Sequence, residues 1–246
     1  MANKLWDKGF KEDERIDAFT VGNDRELDHE LAPYDIMGTM AHITMLESVG
    51  LLSKEDLDKL LPVLKELYSS ACKGELYVEE DVEDIHSQIE LMLTRRLGDV
   101  GKKVHTGRSR NDQVLVDLKL YARAEIENTV HKVESLFNTL QEASERYKDV
   151  LIPGYTHLQV AMPSSFGLWF GAYAESLCDD LSIMKAAWDV VNLNPLGSAA
   201  GYGSSAPLNR TLTTVLLGFE DLDYNSVYAQ MTRGKMERAV AFAYSS

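Results

Sequence analysis

The chain has 246 residues, of which 45% are apolar and 26% are charged, a composition typical of globular and not of disordered proteins. Its 25 Lys and Arg against 39 Asp and Glu give a net charge of −14, which argues against a nucleic-acid-binding protein and against attraction to anionic membranes. The two cysteines, Cys72 and Cys178, are too few for a disulfide framework. The sequence shows no signal peptide and no membrane span, so a soluble cytoplasmic protein is predicted.

Short amphipathic helices are predicted in the first hundred residues. Ser53 is a suitable N-cap for a helix over 54–67. The leucines of this helix recur every three or four residues and so share one face: Leu57, Leu60, Leu64 and Leu67. A second helix is predicted from about 81 to 97, where Gly98 ends it, with the acidic run 79–84 at its positive end.

The segment 102–113 is basic within this acidic chain, because no acid lies between Asp99 and Asp112. Its side chains include several that bind anions: Lys102, Lys103, Arg108, Ser109, Arg110 and Asn111. Together with the backbone N–H groups of a helix that starts here, they favour a cradle for a carboxylate or a phosphate. An ordinary N-cap beside surface arginines is the alternative interpretation.

Two later tracts have a heptad-like spacing, in which apolar positions follow one another at alternating steps of four and three residues. The first runs through Ile126, Val130, Val133, Phe137, Leu140, Ser144 and Tyr147, and the second through Phe170, Ala174, Leu177, Leu181, Met184, Trp188 and Val191. This spacing is typical of long helices packed side by side. Since strand alternation never exceeds a few residues, the predicted fold is all-α, with a helical N-terminal domain over 1–107 and part of a long-helix bundle over 108–246.

Two loops separate the predicted helices. His157 lies in the first, 153–159, where its imidazole is a candidate acid–base group, although a loop histidine bonded to the backbone is the alternative. The second, 194–207, is rich in Gly and Ser and is either a functional loop or a flexible linker. The histidines and cysteines show no metal-ligand spacing, so no metal is predicted.

The segment 227–246 opens as another helix, and the sequence then stops without a Gly, a Pro or a polar tail. This pattern fits either a frayed terminal helix or a chain that is part of a longer protein.

Several strings in the chain resemble the argininosuccinate lyase family, within the fumarase/aspartase superfamily. They are Asp35-Ile36-Met37-Gly38-Thr39-Met40-Ala41-His42, Glu83-Asp84-Ile85-His86 with Glu90, His105-Thr106-Gly107-Arg108-Ser109-Arg110-Asn111-Asp112-Gln113, Pro153-Gly154-Tyr155-Thr156-His157-Leu158-Gln159 and Pro195-Leu196-Gly197-Ser198. The resemblance covers nearly the whole chain, and its third and fourth strings are highly specific. It implies a fumarase/aspartase-like fold that is truncated here before the C-terminal domain.

The resemblance implies a reversible β-elimination in arginine biosynthesis, in which argininosuccinate gives arginine and fumarate without a cofactor. A base removes a proton beside a carboxylate, and fixed donors stabilise the dianion that forms. In the family His157 acts in acid–base catalysis. The residues implied to bind substrate are Thr39, His86, Ser109, Arg110, Asn111 and Thr156, with Thr39 standing where the family has a serine.

The chain also departs from the family pattern. Residues 6–10 read Trp-Asp-Lys-Gly-Phe where the family usually has Trp-Gly-Gly-Arg-Phe. The signature loop Gly-Ser-Ser-x-Met-Pro-x-Lys-x-Asn-Pro, which carries a catalytic serine and a substrate lysine, is absent, so this stretch alone is expected to be inactive. The family forms homotetramers with active sites shared between subunits. The alternatives are another fumarate-releasing lyase, such as adenylosuccinate lyase, and a non-catalytic, crystallin-like member.

Overall fold

Helices form most of the protein in the computed structural model, which describes Arg15, Phe19, residues 21–79 and residues 82–246. In chain order the described α-helices are α1 (Asp24–Leu27), α2 (Ala32–Ser48), α3 (Lys54–Cys72), α4 (Ile85–Leu97), α5 (Asp99–Lys102), α6 (Arg110–Arg146), α7 (Phe166–Val191), α8 (Arg210–Leu216), α9 (Ser226–Met231) and α10 (Lys235–Tyr244). The strands are β1 (Leu151–Thr156), β2 (Gln159–Ser165), β3 (Leu193–Asn194) and β4 (Asp221–Leu222), and short 3₁₀ turns lie at Asp28–Leu31 and Lys103–His105. The all-α prediction is confirmed.

Contacts divide the chain into two compact units. The first combines the described part of Met1–Tyr121 with Asn192–Arg233, and the second combines Ala122–Val191 with Gly234–Ser246. Helix α6 therefore contributes its first third to one unit and the rest to the other. The predicted domains, 1–107 and 108–246, divide the chain at another point and stay a prediction.

The apolar core of the first unit lies between α2, α3 and α4. Helix α3 begins after Ser53, whose hydroxyl accepts a hydrogen bond from the Asp56 N–H at 3.1 Å, as the N-cap prediction requires. Its four predicted inward leucines are all buried: Leu57, Leu60, Leu64 and Leu67. At about 25 cal/mol per Å² of apolar surface, such a face accounts for much of what holds a short helix in place.

Helix α4 begins later than the sequence indicates. Asp84 is its N-cap, with a carboxylate oxygen that accepts from the Ser87 N–H at 2.8 Å, so the helix starts at Ile85 and not near residue 81. Gly98 ends it with φ +62°, as predicted. Glu80 and Asp81 of the predicted acidic run, like residues 6–10, lie outside the described residues.

In the second unit, the C-terminal part of α6 packs against α7 in an antiparallel pair. The Ser144 hydroxyl donates to the Gly167 carbonyl at 2.7 Å, and the Arg123 guanidinium lies 5.5 Å from the Trp188 ring centroid at the other end. A Cβ on Gly167 would come within 2.6 Å of Lys148 Cα, so only glycine permits this approach of the two backbones. The heptad-like tracts therefore face each other, as their spacing predicts.

Residues 151–165 form a β-hairpin instead of the predicted loop. Strands β1 and β2 pair antiparallel with Thr156 opposite Gln159, which leaves His157 and Leu158 as the two turn residues. Both have positive φ, 51° and 63°, as in a type I′ turn. Pro153 faces Pro163, which a two-stranded ribbon tolerates because each strand has an open edge.

The segment 227–246 forms two helices and not one, because Gly234 adopts φ +74° between α9 and α10. No helix in the described part of the chain combines the length and the apolar composition that a bilayer span requires.

Candidate active site

A small polar cavity lies in the first unit, where α2, α4, the 3₁₀ turn Lys103–His105 and the start of α6 meet. Its volume is about 20 Å³, enough for roughly one water molecule or one carboxylate oxygen. Its polar lining residues are Asp35, Thr39, His86, Ser87, Glu90, His105, Arg108, Arg110 and Gln113. Two arginines and two histidines in so small a space make it suited to an anion.

Asp112 organises the N-terminus of α6 beside this cavity. Its Oδ1 accepts from the Ser109 N–H at 2.9 Å, and its Oδ2 accepts from the N–H groups of Gly197 and Ala199 at 2.9 and 3.0 Å. The Gly- and Ser-rich segment 194–207 is therefore attached to the helix start through its backbone. This contact favours the functional-loop interpretation over that of a flexible linker.

The two arginines of the basic segment have different partners. Arg108 is buried, and its Nη1 donates to the Thr39 hydroxyl oxygen at 3.0 Å. Arg110 is half-buried at the start of α6, and its guanidinium reaches the N-terminus of α4, with Nη1 3.0 Å from Asp84 Oδ2 and Nη2 donating to the Ser87 hydroxyl at 3.0 Å. Arg110 is thus aimed at the cavity by α4, and a bound carboxylate would share its guanidinium with Asp84.

His86 is held from two sides by acidic residues. Its Nδ1 donates to Asp35 Oδ2 and lies 3.4 Å from Asp117 Oδ2. Burial lowers the pKa of His86, but the Asp35 charge and hydrogen bond outweigh burial and raise it overall. The two acidic neighbours therefore favour the charged form of the His86 ring in the cavity wall.

Asp35, His86 and Asp117 also present three ligand-type atoms within 4.8 Å of one another, the geometry in which a metal ion is sometimes held. His86 and Asp35 are joined by a direct hydrogen bond, however, which leaves no space for an ion between those two atoms. We assign no ion to the group, and the metal-free site stays a prediction.

Two further titratable groups line the cavity. Burial, with Arg108 and Arg110 nearby, lowers the pKa of His105, whereas burial raises the pKa of Glu90 against the pull of the same arginines. Behind the cavity, burial lowers the pKa of His42 to about 3, so its ring is neutral and Nε2–H donates to the Thr106 carbonyl at 2.9 Å. Because the pKa values of His105 and His42 are lowered, these two rings favour their neutral forms, and the positive charge near the cavity lies on the arginines and on His86.

The structure brings some of the predicted site residues together and assigns others elsewhere. Thr39, His86 and Arg110 line the cavity. Ser109 and Asn111 lie beside it at the start of α6, where the Ser109 hydroxyl accepts from the Asn111 N–H at 3.2 Å. Thr156 and His157 belong to the second unit, at the exposed turn of the hairpin.

Sequence reasoning gave no role to Asp35, Gln113 or Asp117, and it named Arg108 only as one donor of the basic segment. The signal in the sequence was the presence of charged and amide side chains inside the otherwise apolar stretch 112–120. In the structure almost all of this stretch is buried, including Asp112, Gln113, Asp117 and Lys119. A charge within a buried helix face needs a partner, and such a partner often marks a site.

Comparison with known proteins relates the chain to lyases. The lyase family model matches residues 8–233. Argininosuccinate lyase of Parabacteroides distasonis is 68% identical over 243 residues, which cover 99% of this chain and 54% of that protein. Argininosuccinate lyase of Bacteroides fragilis is 66% identical over 246 residues, covering 100% of this chain and 55% of that protein. The chain thus spans about half the length of the curated relatives it matches.

Solved structures show the same fold. EDDS lyase in a variant with bound fumarate matches with a TM-score of 0.77 at 28% identity, over 96% of this chain and 46% of that one. The fumarate lyase:delta crystallin from Brucella melitensis bound to cobalt matches with a TM-score of 0.70 at 16% identity, over 88% and 54%, a likeness of fold alone.

Proposed function

The chain belongs to the lyase family, and from that membership we propose that it supplies part of an argininosuccinate lyase of arginine biosynthesis. The observation that carries the proposal is 68% identity to one such enzyme over 99% of this chain. The aligned region includes the cavity residues and the hairpin turn. The reaction is the reversible β-elimination of argininosuccinate to arginine and fumarate, in the cytoplasm.

The cavity offers what the fumarate end of this substrate needs. Removing a proton beside a carboxylate builds negative charge on that carboxylate, and donors already in place stabilise it more than mobile water can. Arg110, with Ser109 and Asn111 at the α6 N-terminus, would supply these donors. Arg108 is fixed behind them by Thr39.

His157 is proposed as the acid–base group. It stands on a two-residue turn with positive φ, a conformation that asparagine and glycine adopt more easily than histidine and leucine. A turn that keeps unfavourable residues suggests that the side chains have another use. Thr156, next to it, would contribute its hydroxyl to the fumarate end.

We further propose that this stretch alone is inactive, because residues 1–246 lack the Gly-Ser-Ser-x-Met-Pro loop with its serine and lysine. The proposed active protein is a homotetramer whose active sites are shared between subunits. In support, the second unit exposes large apolar side chains, among them Leu151, Leu158, Val160, Met162, Leu168 and Trp169. Large apolar side chains exposed so close together along the chain are typical of an interaction surface.

The proposal is tested with the complete protein that contains this chain. Incubation with argininosuccinate should produce fumarate, detected by the ultraviolet absorbance of its double bond, with arginine in equal amount. Turnover of adenylosuccinate instead would assign the chain to the alternative lyase. A folded protein that converts neither substrate would favour the crystallin-like alternative. Light scattering in the same buffer measures the mass, and a monomer would contradict the shared-site assembly.

A further inference from the structure

A buried cluster of three ionisable side chains lies at the cavity of the first unit, and two of the three, Asp35 and His86, line it. Asp35 comes from α2, His86 from α4 and Asp117 from α6, and both carboxyl groups are fully buried. One imidazolium can neutralise one carboxylate, and the nearby Arg108 donates to the Thr39 hydroxyl instead of to either acid. A second ionised acid would therefore be buried without a direct cationic partner. Uncompensated buried charge is among the costliest features that a protein can carry.

The hydrogen bonds of the cluster fall on one acid only. Asp35 Oδ2 accepts from His86 Nδ1 and also from Gln113 Nε2, the latter at 2.6 Å. Within the described residues, neither oxygen of Asp117 accepts a hydrogen bond, and Asp35 Oδ1 accepts none either. The two carboxyl groups lie within reach of a side-chain hydrogen bond, so a single proton shared between them would give Asp117 the partner that it lacks.

We propose that Asp117 is a neutral carboxylic acid that donates its proton to Asp35, while the ionised Asp35 holds His86 as an imidazolium in the cavity wall. Asp117 and Asp35 are then positioning residues for His86. With Nδ1 engaged by Asp35, Nε2–H is the group through which the ring would bind a carboxylate. This binding role rests on the proposed lyase function, but the position of the proton does not.

The surrounding charges agree with this assignment. Burial raises the pKa of Asp117 well above its ordinary value of 3.8, the adjacent Asp35 raises it further, and Arg108 opposes both. The pKa of Asp35 is lowered, since His86, Arg108 and the Gln113 amide outweigh its burial. Two other acids face the cluster. They are Asp28, from the 3₁₀ turn Asp28–Leu31, and Asp84, the N-cap of α4, and both favour a charged His86.

Two isosteric variants of the complete protein separate the two acids. Asp117→Asn should be more stable than the wild type above about pH 4, because the folded wild type must keep a proton that its unfolded chain releases. As pH rises, the folding equilibrium constant of Asp117→Asn should grow relative to that of the wild type by about tenfold per pH unit, until Asp117 of the folded wild type ionises. Asp35→Asn, the matched change, should destabilise the protein, since it removes the ionised partner of His86.

A direct readout is the infrared C=O stretch of a protonated carboxyl group, which lies apart from carboxylate bands. With isotope-labelled aspartate, the wild type should show this band near neutral pH, and Asp117→Asn should lose it. Where Asp117→Asn does not fold, Asp117→Glu should remove the band from the labelled-aspartate signal. No band at neutral pH, or equal destabilisation by both asparagine variants, would overturn the proposal. Neither readout requires catalytic activity, so the result stands apart from the lyase assay.

Discussion

Charged side chains are buried in the first unit, whereas apolar side chains are exposed in the second. The first encloses the Asp35–His86–Asp117 cluster and an ion pair between Lys119 and Asp223, with 2.7 Å between Nζ and Oδ2. In the second, Leu158 is 99% exposed at the hairpin turn and Trp169 is 48% exposed on α7. Each arrangement costs stability in an isolated chain.

The two units differ in what stabilises them. Buried ions stay in place only where fixed partners surround them, which is what the proposed anion site of the first unit requires. Exposed apolar groups become favourable only when another surface covers them, which the proposed homotetramer would supply for the second unit.

The largest effect is expected at the hairpin turn. His157→Asn in the complete protein should lower turnover by about 10²–10⁴-fold, the usual contribution of an acid–base group. Asparagine is favoured in type I′ turns, so the change should relieve backbone strain and not add it. Circular dichroism should therefore be unchanged, and activity within a few-fold of the wild type would remove His157 from the mechanism.

The next largest effect concerns the buried ion pair. Lys119→Met leaves Asp223 buried without its cation and should lower the free energy of unfolding by about 3–5 kcal/mol. The matched control is Lys185→Met in the second unit, where Lys185 Nζ lies 2.9 Å from Asp189 in an exposed pair on α7. Urea denaturation should show little change for the control. An equal loss of unfolding free energy in both variants would contradict the difference between the buried and the exposed ion pair.

Arg110→Met should weaken fumarate binding by about 10–100-fold, the range expected for losing one charge-assisted hydrogen bond. Titration calorimetry of the complete protein measures this dissociation constant. Arg96→Met is the control, because Arg96 lies at the opposite, C-terminal end of α4, paired with Glu66 at 2.9 Å and outside the cavity lining. An unchanged fumarate affinity for Arg110→Met would exclude the arginine from the anion cradle.

The smallest effect is expected at Thr39. Thr39→Ser keeps the oxygen that accepts from Arg108 Nη1 and should change fumarate affinity by less than about threefold. Thr39→Val keeps the shape but removes the acceptor, so a buried guanidinium N–H loses its partner at a cost of about 1–3 kcal/mol. If the two variants behave alike in urea denaturation, the Arg108–Thr39 hydrogen bond contributes nothing to stability.

Local features of the chain were predictable where one residue type has one physical role. The Ser53 cap and the Gly98 stop were read correctly, because an N-cap oxygen and a left-handed glycine act within a few residues. The heptad-like tracts also indicated two long helices packed side by side, which the structure has as α6 and α7. The start of α4 was placed several residues early, because the sequence offered several acids and only Asp84 caps the helix.

The hairpin and the buried cluster could not be predicted in the same way. Strands β1 and β2 are mostly exposed and carry prolines, so they lack the alternation that marks a half-buried strand. Asp35, His86 and Asp117 lie on three different helices, 51 and 31 residues apart along the chain. Their proximity arises from helix packing, which no local pattern encodes.

The attachment of the 194–207 loop to Asp112 bears on how this loop can vary among related sequences. Asp112 binds the backbone N–H groups of Gly197 and Ala199, which every residue except proline possesses. Tolerance to substitution should then follow backbone angle and space and not side-chain chemistry. Gly197, with φ +89° and Arg210 Cγ 2.7 Å from where its Cβ would lie, should admit no replacement, whereas Ala199→Gly should be accepted readily.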